Sequence, residues 1–318
     1  MKLKEIYGLA IKLGMKNDPR GLAAVEEELK VKKEKYQEMN ELKKQEYDLE
    51  RLNNPYSDTR ILAGNEDRTI KRILAGIDME VGEILLADRL QDIDLVLAHH
   101  PEGKALAALH DVMHLQEDLL EILGVPINVA ESIMSSRINE VKRSLSPVNH
   151  NRAVDAARLL DLAFMCVHTP ADNMVSTYLA EYLEGKEPKT VGDLLKALKE
   201  IPEYAEAVKV NAGPMVFVGS EERKCGKITV DMTGGTSGAE ASFEKLAQAG
   251  VGTIVSMHMS EKHRKEAEKA HLNVVVAGHI SSDSLGMNLF LDNIEANGID
   301  VLTCSGLIRV KRQEGLSV

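Results

Sequence analysis

Asp94-Leu95-Val96-Leu97-Ala98-His99-His100-Pro101 is a short, almost wholly apolar run that ends in two adjacent histidines. Val, Leu and Ala in a run of that length fit a strand buried on both faces, as in a parallel sheet. Pro101 has no N–H to give a ladder and stops the strand. The histidines therefore fall at the carboxyl end of a buried strand, where open α/β sheets place their ligands. Side chains of neighbouring strand residues diverge. Two adjacent histidines thus suit two metal ions, or one ion and a supporting contact, better than a single ion.

The run closes an α/β unit. Before it, Arg60–Ala63 and Arg72–Ile77 read as strands around a polar turn, and Glu80–Leu90 as a helix. After it the chain reads as nearly all helical to residue 163, broken at Gly124-Val125-Pro126 and Ser146-Pro147. A second apolar strand, Ala163–Val167, then delivers His168-Thr169-Pro170-Ala171-Asp172. Thr190 and Asp193 form a capping box with Asp in place of Glu. The second half repeats the logic, with strands at 228–232, 252–256 and 273–277 and helices at 239–249 and 261–271, the last strand ending in Gly278-His279. Val96–His100 and Val275–His279 both deliver histidine from a buried strand, which reads as a weak internal duplication.

The N-terminus is different in character. Residues 1–14 read as an amphipathic helix, Asp18-Pro19 as an N-cap followed by Pro at the first helical position, and 20–52 as one charged helix ended by Asn53-Asn54-Pro55. Such a helix would be ~45 Å long. It is either a solvated helix or an arm that packs on a partner subunit. The chain thus divides into a helical arm (1–55), a first α/β lobe with a helical insertion at about 103–160 (56–210) and a second α/β lobe (211–318).

Composition narrows the function. A net charge of −11 argues against nucleic acid as a partner. Cys166, Cys225 and Cys304 are far apart and form no CxxC pair, which fits a reducing cytoplasm and no disulfide framework. No signal peptide and no apolar run of membrane-spanning length is evident, so a cytoplasmic location is expected.

His99 and His100 are the strongest metal candidates. His168 with Asp172, and His279 with Asp283, again follow strands, and His-x3-Asp can present N and O donors to one ion. The bland alternative is that each Asp caps a helix. Gly234-Gly235-Thr236-Ser237-Gly238 either cradles a phosphate or is a plain tight turn. His258 and Glu261 read as ligand, base or supporting contact, or else Ser260 simply caps the helix there. His110 and His114 have metal-ligand spacing on one helix face but lack the Glu of a metalloprotease motif, so a surface helix is preferred. His150, His263 and His271 show no partners.

At this point the residues carry a family resemblance. DLVLAHHP at 94–101 resembles the hallmark DLIIAHHP of the Nif-three-like family, described as GTP cyclohydrolase I type 2-like. HTPAD at 168–172 resembles its HTNLD, DMTGGTSG at 231–238 its CGGAGG loop, and AGHISSD at 277–283 its AGHYATE, all in family order. The resemblance implies two similar α/β lobes with mixed or largely parallel sheets, a cleft between them, and toroidal homohexamers. It also implies two divalent metal ions per chain (Zn, Fe or Mn) on His99, His100, Asp172, His279 and Asp283. The implied activity is a metal-dependent hydrolase on a small molecule such as a nucleotide, with Thr236 and Ser237 as substrate contacts and His258 as the catalytic candidate. The alternative is a non-catalytic metal-binding scaffold or chaperone. Asp283 stands where the family usually has Glu, one methylene shorter, which predicts a weaker second ion unless His258 compensates. The 20–52 helix and the 103–160 insertion are additions to the family pattern.

Overall fold

The computed structural model describes residues 1–312; residues 313–318 of the expected second lobe lie outside them. Nine strands form two sheets: β1 (Arg60–Ala63), β2 (Arg72–Gly76), β3 (Leu95–Ala98), β4 (Ala163–Cys166), β5 (Met215–Val218), β6 (Lys227–Asp231), β7 (Val251–Ser256), β8 (Asn273–Val276) and β9 (Asp300–Thr303). Their orders are β1-β4-β3-β2-β9 and β5-β8-β7-β6. All neighbours are parallel except β1 with β4 and β5 with β8. Both antiparallel edges also carry a bulge, at Ile61/Ala63 and at Val216/Val218.

Leaving β9 aside, the second sheet repeats the first strand for strand. The duplication is therefore real in topology, but its register differs from the one read in the sequence. The partner of β3 is β7, and the partner of β8 is β4, so Val96–His100 corresponds to the strand that ends at His258 and not to Val275–His279. Buried parallel strands have nearly interchangeable compositions; only their neighbours tell them apart. β1 and β2 also do not pair with each other, since β4 and β3 lie between them. β9 joins the first sheet beside β2, which makes the first lobe discontinuous in the chain.

The run that opened the analysis is buried on both faces, as expected. Leu95 and Leu97 point into the core between the sheets, while Val96 and Ala98 point to the outer core of the first sheet. The inner layer holds the helices Thr169–Lys186 and His279–Glu295, which follow β4 and β8 and pack against each other, together with Leu3–Lys16. Val81–Leu90 and Arg152–Leu159 cover the outside of the first sheet. Ser242–Gln248 and Glu261–Lys269 cover the outside of the second. The insertion forms five helices, of which Leu115–Leu123 and Ile127–Leu145 are the main ones. Met113, Leu120, Met134 and Ile138 pack with Phe243, Leu246 and Ile254, so these two helices roof the second lobe while Arg152–Leu159 stays on the first.

The expected single helix over 20–52 is broken into Leu22–Glu38, Glu41–Glu46 and a 3-10 turn, Leu49–Leu52. The Asn40 side chain accepts from Lys43 N–H and the Asp48 side chain from Glu50 N–H. Such short polar side chains offer the backbone an alternative to the helix and restart it in a new direction. The segment folds back on its own chain: Val25 and Leu29 are buried, and Asp48 and Glu50 neutralise the fully buried Arg60. Asp18 is not the helix cap either. Gly21 takes that position, and the Asp18 carboxylate instead binds Arg20. The Thr190/Asp193 capping box is formed as read. No helix among the described residues is long and apolar enough to cross a membrane.

Candidate metal centre

β3 ends at Ala98, so His99 and His100 escape strict strand alternation, and their ring centroids lie 5.2 Å apart. Each is oriented from behind. His99 Nδ1 lies 3.0 Å from the Val167 carbonyl, which only accepts, so Nδ1–H donates and Nε2 presents its lone pair to the site. His100 Nδ1 is 2.6 Å from Asp78 Oδ1, and His168 Nδ1 is 2.8 Å from Asp58 Oδ2. Three imidazoles thus turn Nε2 toward one point, the arrangement that metal-ligating histidines share.

The carboxylates come from the two inner helices. Asp172 lies in the first turn of Thr169–Lys186 and Asp283 in the first turn and a half of His279–Glu295. The inner helices approach closely because Gly286 packs against Ala171. Asp283 sits at the centre. Its Oδ1 is 3.5 Å from His99 Nε2, and its Oδ2 is 3.4 Å from His100 Nε2 and 3.5 Å from His279 Nε2. Asp172 Oδ1 is 3.5 Å from His99 Nε2. Two donor triads result, His99/Asp172/Asp283 and His100/His279/Asp283, sharing Asp283. A third, His99/His100/His168, adds a histidine that the expected ligand set omits.

Asp172 Oδ1 and both oxygens of Asp283 are buried without a hydrogen-bond donor. A desolvated carboxylate in that condition is costly unless a cation supplies the missing partner. The donor set of imidazole and carboxylate suits a divalent transition ion. The residues present therefore fit the metal that the resemblance implies. Each oxygen of Asp283 faces a different triad, and His258 belongs to neither.

The crowding of Asp172, Asp283 and Asp58 among the imidazoles sets the electrostatics. Burial pushes Asp172 well above the usual carboxylate range, reinforced by Asp283 and Asp58 and opposed by His99. Burial pushes Asp283 upward too, but His99, His100 and His279 outweigh it and hold the group well below the usual range. Burial, aided by His258, His100 and His99 and opposed by Asp283, brings His279 down to about 4.

A cavity of about 830 Å³ opens from Asp172, His168, His279 and Asp283. Thr236, Ser237 and His258 line it, as does His263, which the sequence left without a partner. The His258 ring centroid is 4.9 Å from that of His279, and its Nδ1 is 3.4 Å from Ser237 Oγ. His263 Nε2 lies 3.1 Å from the Gly238 carbonyl. The 234–238 loop does not open a helix directly, since the next begins at Ser242. Its carbonyls are instead taken by the insertion: Gln116 Nε2 donates to Gly234 O and Thr236 O, and Arg137 Nε to Ser237 O. Asp231 keeps accessible surface but is enclosed by the cavity wall; that enclosure raises its carboxyl above the ordinary range against the pull of His258 and His263. His110 and His114 do not share a helix, because one helix ends at Val112 and the next starts at Leu115.

Asp58, Asp78 and Gln116 had no signal in the sequence. Each acts through a residue distant in the chain, and none stands in a spaced pattern with it.

No curated protein matches the sequence. Among solved structures, the chain is similar to a NIF3 superfamily protein from Sphaerobacter thermophilus, with 30% identity and a TM-score of 0.70 over 79% of this chain and 92% of that one. It shares its fold with reduced HcgD from Methanocaldococcus jannaschii, at 17% identity and a TM-score of 0.50 over 76% and 87% of the two chains. The family model for Duf34/NIF3 (NGG1p interacting factor 3) matches residues 138–305, which include Asp172, His279 and Asp283. With two bulged, duplicated sheets around that site, the chain belongs to the DUF34/NIF3 family.

Proposed function

We propose that this chain is a divalent-metal-dependent hydrolase of a small molecule, with cyclohydrolase-like attack on a C=N or C=O carbon. The observation that carries this reading is Asp283, whose two unpartnered oxygens each face a separate triad at the head of a cavity. Divalent ions bound there supply Lewis-acid polarisation and bring the pKa of water toward neutrality.

The chain's own residues do the rest. His99, His100 and His168 are held by Val167, Asp78 and Asp58 in the orientation that ligation needs. His258 stands at the cavity side of His279, where an imidazole can take a proton from water and return it to the leaving nitrogen or oxygen. Ser237 orients it through Nδ1. Thr236 and Ser237 form the wall against which substrate rests. By the family resemblance, the working unit is a homo-oligomer.

The test is turnover by chelator-stripped protein reloaded with Zn, Mn or Fe(II), followed by mass spectrometry over cyclic amidines, amides and nucleosides. Hydrolysis should require metal, vanish in Asp283→Asn and fall steeply in His258→Ala while metal stays bound. Stoichiometric metal with no turnover on any member would favour a scaffold or chaperone instead.

A further inference from the structure

The cavity is chemically divided. Beyond the metal centre its walls are apolar: Leu119, Ile122, Leu123 and Met134 come from the insertion, and Phe243 and Leu246 face them from the second lobe. Ile122 is 59% exposed although it faces this cavity. An apolar wall left open to water in that way is one that a ligand covers.

The charges have one sign. Apart from the candidate ligands, the acidic residues Glu181, Glu184, Glu187 and Asp231 line the cavity. Among the described residues the lining contains no arginine, and its single lysine, Lys189, is 3.5 Å from Glu187. Arg137 is turned to the Ser237 carbonyl and Glu140. Polyphosphates are gripped by Arg and Lys or by free backbone N–H groups at a helix start. Among the described residues the lining's one Lys or Arg side chain is the lysine facing Glu187, and the carboxylates would repel the outer phosphates.

We propose that the cavity takes a ligand with an apolar body that is neutral or cationic, presenting one carbonyl or imine group to the metal centre, and not a nucleoside polyphosphate. The assignment rests on the metal-dependent hydrolase reading and names the substrate class of that same site. It also gives the 103–160 insertion a role: it builds the apolar half of the pocket and pins the 234–238 loop through Gln116 and Arg137.

Calorimetry on the full, metal-reloaded chain tests this with three probes. Acetohydroxamic acid carries the metal-binding head alone, octanohydroxamic acid adds an apolar chain, and GTP is the polyphosphate. A buried methylene contributes about fourfold in affinity, so octanohydroxamate should bind at least ~50-fold tighter than acetohydroxamate, and GTP more weakly than either. Ile122→Asp, at an exposed position that the fold tolerates, should remove most of the chain-length gain and leave acetohydroxamate binding unchanged. Equal affinity of the two hydroxamates, or GTP binding tighter than octanohydroxamate, overturns the pocket assignment while the metal centre stands. Failure of acetohydroxamate to bind the reloaded chain overturns the metal-centre reading and this inference with it.

Discussion

Gly286 stands directly against the backbone carbonyl of Ala171, with no space left for a Cβ. Ala171 immediately precedes Asp172, and Gly286 lies one helical turn beyond Asp283. The closest approach of the two inner helices is therefore also what brings the two carboxylates of the site together. One lies on the helix after β4 and the other on the helix after β8, so the contact joins the two halves of the duplication.

Gly286→Ala should force the helices apart at that point. Overpacking of this kind costs about 1–3 kcal/mol, and Asp172 should no longer share an ion with Asp283. Thermal unfolding and elemental analysis read the two effects separately. An unchanged melting temperature with full metal content would show that the crossing is not what fixes the carboxylates.

Each Asp283 oxygen faces a different triad and His258 belongs to neither, so metal stoichiometry is expected to be independent of His258. His258→Ala is expected to keep the wild-type number of ions in a calorimetric titration, while Asp283→Asn loses both binding steps. Asp283→Glu adds a methylene at a side chain with 0% exposure and should weaken at least one step. Loss of one ion in His258→Ala would restore the expectation that this histidine makes up for the missing methylene.

Asp58 accepts from Thr169 Oγ1 at 2.6 Å and lies 2.8 Å from His168 Nδ1, fixing both the helix start and the imidazole. Removing a carboxylate behind a ligating histidine usually lowers metal affinity ~10–100-fold. Asp58→Asn should show a loss in that range by competition with a chromogenic chelator. If affinity is unchanged, His168 takes no part in ligation.

The folded-back arm should loosen in acid. Burial works to raise Glu28, but Lys32 and Arg20 outweigh it and hold its carboxyl below the ordinary value. A depressed carboxyl stabilises the fold above its unfolded pKa near 4.5, and that contribution disappears as pH falls through the lower folded value. Hydrogen exchange over residues 22–38 should therefore accelerate, relative to the core, as pH drops below 4.5. Arg20→Gln should flatten that dependence. A pH profile identical in the variant would mean that Glu28 does not hold the arm.

What could be read from the sequence follows the physics of each signal. Buried strands ending in histidine announce themselves by apolar runs with abrupt polar ends: His99, His100 and His279 stand just after such runs, with Asp172 and Asp283 one turn into the helices that follow. The capping box at Thr190 is a local motif and survived intact. The strands β5 and β9 went unread: β5 is half exposed at an edge, and β9 alternates exposed and intermediate residues, so neither has a buried run. The 20–52 segment misled because its i,i+4 charge pairs favour helix everywhere, while Asn40 and Asp48 break it through single local bonds. Asp58 and Asp78 were invisible because their partners are set by tertiary contact. The sharing of Asp283 between triads is a property of distance, which a one-letter change from Glu to Asp does not express.

The position of β9 has a consequence for how the protein is made. β9 pairs with β2, so the sheet that carries His99 and His100 lacks its edge strand until all four strands of the second sheet have been made. Asp283 also emerges late, long after both histidines. During synthesis the nascent chain presents an imidazole pair in an unfinished lobe, without the carboxylate that links the two triads. An ion taken up before Asp283 emerges would rest on the imidazoles and Asp172 alone, one carboxylate short of either shared triad.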